Sequence, residues 1–72
     1  MYIVVKIDKT NYPCTEPQDV SVKVFGTLSE ARKWMKADFE KTCTHETEEI
    51  RPWDAFKNDN DHEVLWVIKR KG

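Results

Sequence analysis

The stretch Thr27-Leu28-Ser29-Glu30-Ala31-Arg32-Lys33-Trp34-Met35-Lys36-Ala37-Asp38-Phe39-Glu40-Lys41-Thr42-Cys43 decides the fold. It opens on the capping-box pattern of a threonine followed three residues later by a glutamate. In that pattern the Thr27 hydroxyl accepts from the Glu30 amide and the Glu30 carboxylate reaches back to the Thr27 amide. Leu28, Ala31, Met35, Phe39 and Thr42 then recur at helical spacing, with Trp34 on the flank of the stripe. Arg32, Lys33, Lys36, Glu40 and Lys41 cover the rest of the surface. One amphipathic helix running to about Cys43 follows, and every other patterned segment has the period of a strand.

Met1 to Asp8 is rich in β-branched residues, with Ile3, Val5 and Ile7 on one face and Tyr2, Val4 and Lys6 on the other. Apolar residues on both faces predict an interior strand. Residues 9–17 hold two prolines and read as a loop. Val20, Val22 and Val24 alternate with Ser21 and Lys23, the pattern of a half-buried strand paired antiparallel with the first. After the helix, residues 44–52 are polar and acidic. They could extend the helix, but Pro52 ends anything helical by about Arg51. Trp53 to Lys57 is a short strand, Asn58-Asp59-Asn60-Asp61 a turn, and Val64 to Ile68 an interior strand apolar on both faces. The basic tail Lys69-Arg70-Lys71-Gly72 closes the chain. The expected architecture is one α+β domain over residues 1–72. Its single helix packs on one face of a three- or four-stranded, mainly antiparallel sheet, in the order β-β-α-β-β.

Composition narrows the function classes. With 72 residues the chain has room for one core and buries only about 60% of the surface its unfolded form exposes. Charged residues make up 35% with the two signs interspersed, and the formal net charge is −1. That balance removes the long-range pull of a dedicated nucleic-acid or acidic-membrane binder. The longest apolar runs, Met1 to Val5 and Val64 to Ile68, are far short of the ~20 residues a membrane span requires. Nothing at the N-terminus has the layout of an export signal, so the expected location is cytoplasmic.

The residue types that carry chemistry are sparse. Cys14, Cys43, His45 and His62 are the possible metal ligands, yet only Cys43 and His45 are close in sequence, and a one-residue gap is not the spacing of a structural zinc site. The pair reads as a buried cysteine at a helix end beside a solvated histidine. A Cys14–Cys43 disulfide is not expected without an export signal. The acidic turn at 58–61 lacks the glycine and the flanking helices of a calcium loop. No glycine-rich phosphate cradle or oxyanion hole accompanies the cysteines, histidines or Glu46, Glu48 and Glu49, so no enzyme, cofactor, metal or small-molecule substrate is expected.

What remains is the sheet itself, because one helix covers one face. With Ile3, Val5 and Ile7 assigned to the helix side, Tyr2 and Val4 are left uncovered, and the last strand likewise carries apolar residues on both sides. Such a surface marks a contact site. The expected role is an interaction or accessory protein forming a homodimer or binding a protein partner, with Tyr2, Val4, Trp53 and Trp66 as contact residues. The alternative is a nucleic-acid binder that stacks bases on Tyr2 or Trp66 beside Lys6, Lys23, Lys69, Arg70 and Lys71. A bland reading is that residues 44–52 or the proline loop fold across the second face.

Overall fold

The computed structural model describes residues 1–10, 19–60 and 62–71. Strands β1 (Tyr2–Thr10) and β2 (Asp19–Phe25) precede helix α1 (Leu28–Lys41), and β3 (Thr47–Ile50), β4 (Asp54–Asn58) and β5 (His62–Arg70) follow it. All pairings are antiparallel in one five-stranded sheet of order β2-β1-β5-β4-β3. The α+β class and the single helix on one face are as the sequence predicts.

The extra strand comes from the acidic segment. Thr47–Ile50 neither extends the helix nor folds across the sheet; it pairs with β4, from Thr47 opposite Asn58 to Ile50 opposite Ala55. Its composition is poor for a strand, but pairing to a neighbour already fixed in the sheet outweighs intrinsic preference. The short strand after Pro52 begins at Asp54, leaving Trp53 in the bend between β3 and β4 with its carbonyl accepting from the Ile68 amide at 2.8 Å.

Helix α1 starts where the capping box places it. The Thr27 hydroxyl accepts from the Glu30 amide at 3.2 Å. The Glu30 carboxylate accepts from that same hydroxyl at 3.1 Å, not from the Thr27 amide. The helix ends slightly earlier than the pattern suggests, at Lys41, because Thr42 turns extended (φ −73°, ψ 141°) while its amide and hydroxyl both bond the Asp38 carbonyl. Ala31 and Met35 are the buried residues of the stripe.

The core lies between α1 and one face of the sheet: Val4, Ala31, Met35, Ala55, Val64, Trp66 and Ile68. Tyr2, Phe25, Leu28, Trp34 and Phe39 pack around it. Aromatic rings pack within and around it, with Phe39 and Trp66 centroids 5.5 Å apart and Phe25 and Trp34 centroids 6.0 Å apart. This assignment reverses the expected parity of β1. Val4, not Ile3 or Val5, faces the helix, and side chains on a strand alternate strictly between faces.

Candidate functional site

Register and alternation locate every residue of the face opposite the helix. Cross-strand partners share a face, so Ile3 lies beside Val24, Val5 beside Val22 and Val67, and Ile7 beside Val20 and Leu65. Leu65 in turn neighbours Phe56, and Phe56 neighbours Glu49. The outcome is a continuous aliphatic surface spanning β2, β1, β5 and part of β4. Charged and polar groups rim it. Lys69 sits beside Ile3 at one end, and Lys9 beside Glu63 at the other. Along the β4 side stand Asp54 and Arg51, the latter 2.7 Å from Asp54 and 5.7 Å from the Phe56 ring. Val20, Val22 and Val24 are more than half exposed. Among the described residues α1 is the sole helix, and it packs on the other side; of the proline loop expected as an alternative cover, residues 11–17 lie outside the described residues.

The predicted contact residues fall differently from expectation. Val4 and Trp66 are fully buried beneath the helix, so neither belongs to the open face. The reason is chemical as well as steric. The Trp66 indole N–H donates to Asp38 of the helix at 2.9 Å, and Lys6, also on that side, pairs with Asp38 at 2.8 Å and lies 5.6 Å from the Trp66 ring centroid. Burial works against ionisation of Asp38. The bonds from Lys6 and Trp66 outweigh it, with the charges of Lys6 and Lys41 adding to them, and hold the carboxyl below its ordinary pKa. Tyr2 is half-buried on the helix side, its ring 6.3 Å from that of Trp53. Trp53 is exposed, with the Arg32 guanidinium 5.4 Å from its ring centroid.

The cations of the alternative reading are divided between the two faces, with Lys6, Lys23 and Arg70 on the helix side. Lys6 is committed to Asp38. Lys23 and Arg70 share the helix side through their partners Val4 and Tyr2, whereas Lys69 is on the open side. Lys71 lies beyond β5, its amide bonded to the Met1 carbonyl at 2.9 Å. Trp66 is enclosed and offers no stacking surface.

The candidate ligands are also rearranged. Cys14 lies outside the described residues. Cys43 is exposed and His45 is buried, the reverse of expectation. His45 is 5% exposed and meets His62, which comes from the start of β5. Among the described residues no group of three or more His, Cys, Asp or Glu side chains could hold a metal ion. Beside this pair is buried Lys57, whose ammonium donates to the Thr42 carbonyl at 2.8 Å and the Cys43 carbonyl at 3.4 Å, pairs with Glu48 at 3.5 Å and lies 4.5 Å from the Phe39 ring centroid. It satisfies the first two carbonyls past the end of α1 and places a cation at the negative end of the helix dipole. Sequence reasoning passed over Lys57; the signal available was a lysine inside an apolar strand at a core-facing position.

An open hollow of about 410 Å³ between α1 and β2 is lined by Phe25, Glu30, Lys33, Trp34 and Ala37. No helix among the described residues is long and apolar enough to cross a membrane. No family model matches the chain, and neither the curated proteins nor the solved structures yield a match.

Proposed function

We propose that this protein acts by association, and that the occupant of its open sheet face is a second copy of the same chain in the cytoplasm. One observation carries the reading: the aliphatic residues lie on the open face, while many polar ones lie on the covered face. A monomer with one solvated sheet face ordinarily shows the opposite arrangement. Ile3, Val5, Ile7, Val20, Val22, Val24, Leu65, Val67 and Phe56 form the patch, and Lys6, Asp8, Lys57 and His62 are on the helix side.

Size and charge favour a second copy. Strands about 4.8 Å apart with a rise of about 3.3 Å per residue give the whole five-stranded face a projected area of roughly 540 Å², which suits a small interface below the ~800 Å² per partner of a standard one. Face-to-face sheets pack about 10 Å apart, and the molecule measures only 15 Å across its thinnest axis. A two-fold axis lying in the interface and running across the strands superposes the patch on itself. It reverses the two ends, so Lys69 of one copy approaches Glu63 of the other, twice. Near-neutral net charge adds little repulsion to the pairing.

Sedimentation across a concentration series tests the proposal, with Val22→Lys as the broken version. The expected result is a concentration-dependent dimer for the natural chain, and at least about tenfold weaker association for the variant with an unchanged circular dichroism spectrum. A strict monomer at high micromolar concentration, or a dimer indifferent to Val22→Lys, overturns it.

A further inference from the structure

His45 and His62 touch through one nitrogen each, His45 Nε2 to His62 Nδ1 at 2.8 Å. The outer nitrogen of each ring meets a group that accepts. His45 Nδ1 lies 2.7 Å from the Cys43 carbonyl, and His62 Nε2 lies against the Asp8 carboxylate. Both outer nitrogens therefore carry protons when these bonds are made. With each ring neutral, the two inner nitrogens would present only lone pairs to one another. Their contact is attractive when one further cation sits between them.

The spacing says which cation. Two imidazole ligands on a tetrahedral zinc, each bound at about 2.0–2.1 Å, stand about 3.3–3.4 Å apart. A separation of 2.8 Å is that of a hydrogen bond. We propose that His45 and His62 share one extra proton, balanced by Asp8, and that this proton is a pH-sensitive latch holding the connection between α1 and β3 onto the ends of β1 and β5. It involves none of the residues of the open face and stands independently of the dimer.

The surrounding charges come from each neighbouring element. Asp8 is on β1, and Glu48 of β3 lies 3.4 Å from the His45 amide nitrogen. Lys57 of β4 pairs with Glu48, and Asp59, in the turn before β5, accepts from the His62 amide at 2.9 Å. The sign follows from the proton count. The latch is closed while the ring pair keeps its proton. Raising the pH far enough to remove that proton leaves one of the three bonds without a hydrogen, and it breaks. Buried His45 then loses its reason to remain inside. Local opening of residues 42–46 follows, with β3 still paired to β4.

Amide hydrogen exchange on the full chain, corrected for the intrinsic pH dependence, reads this directly. Between about pH 5.5 and 8, protection of the Thr42 and His45 amides, which bond the Asp38 carbonyl and the Glu48 carboxylate, should fall about tenfold relative to β1 and β5. The His45→Gln and His62→Gln variants should show no such fall. Ring nitrogen chemical shifts should show both outer nitrogens protonated and the inner pair sharing one proton on the acid side. A protection ratio independent of pH, or a bare His62 Nε2 on the acid side, overturns the proposal. So does one equivalent of zinc bound by the natural chain and lost in His45→Gln, because the bridging cation would then be a metal.

Discussion

The two faces of the sheet have opposite chemistry, and the covered one is the more polar. Under the helix, Trp66 and Val4 share their side with Lys6, Asp38, Lys57, His45 and His62, each bonded to a named partner. Between its charged ends the open side is valine, isoleucine and leucine across β2, β1 and β5, with Phe56 of β4 beside them. Burial on the helix side is specific, because polar groups taken from water must find particular partners or cost stability. Burial on the open side would be generic, since aliphatic surface accepts any complementary apolar layer. The first kind of surface fixes one fold; the second leaves room for a partner.

Substitutions on each side measure how deep that contrast runs. Trp66→Ala strikes the specific side hardest. It removes the largest fully buried side chain and one of the donors to Asp38. Urea denaturation should show a loss of about 3–5 kcal/mol, enough to unfold a chain this small. A loss near that of a surface change would mean that the covered face is not the core. Asp38→Asn comes next, at roughly 1–3 kcal/mol for bonds to a charged group. Its pH signature is distinctive. The folded pKa of Asp38 lies below the unfolded one, so its stabilisation is fully present above the unfolded value of about 3.9 and is lost as pH falls through the folded value. Thermal melts on the acid side should therefore be flatter for the variant than for the natural chain. The smallest effect belongs to Val24→Thr on the open face. In dilute monomer it should change stability by no more than about 0.5 kcal/mol, checked by denaturation at low micromolar concentration. A larger loss there would mean that the open face is already packed within one copy.

Much of the fold was legible because its signals are local. The capping box placed Thr27, the stripe placed Ala31 and Met35, and alternation found β2. The parity of β1 was not legible, because Ile3, Val5 and Ile7 compete on equal terms with Tyr2 and Val4 in a strand apolar on both sides. What separates them is Asp38, which draws Lys6 and Trp66 to the helix side across distances in sequence that no local pattern spans. The strand at Thr47–Ile50 was hidden for a related reason: its glutamates obscure a segment held mainly by backbone pairing to β4. The candidate site was legible as a property, an excess of apolar sheet surface, but not as a set of residues. Three of the four predicted contacts, Tyr2, Val4 and Trp66, lie on the helix side of the sheet, and Trp53 lies in the bend between β3 and β4.

The pairing of β1 with β5 sets the order in which the chain can acquire its structure. Tyr2 pairs with Arg70 and Thr10 with His62, so two of the central strands come from opposite ends of the described sequence. During synthesis β1 and β2 can meet early, but Trp66 and Ile68 emerge only after the helix, β3 and β4, and until then the helix has little core to close on. Contacts that span nearly the whole chain are slow to form. The aliphatic face of the early β1–β2 pair is exposed throughout that delay. The nascent chain is therefore most prone to aggregation just before β5 arrives, and the residues that offer a surface for a partner are those at risk.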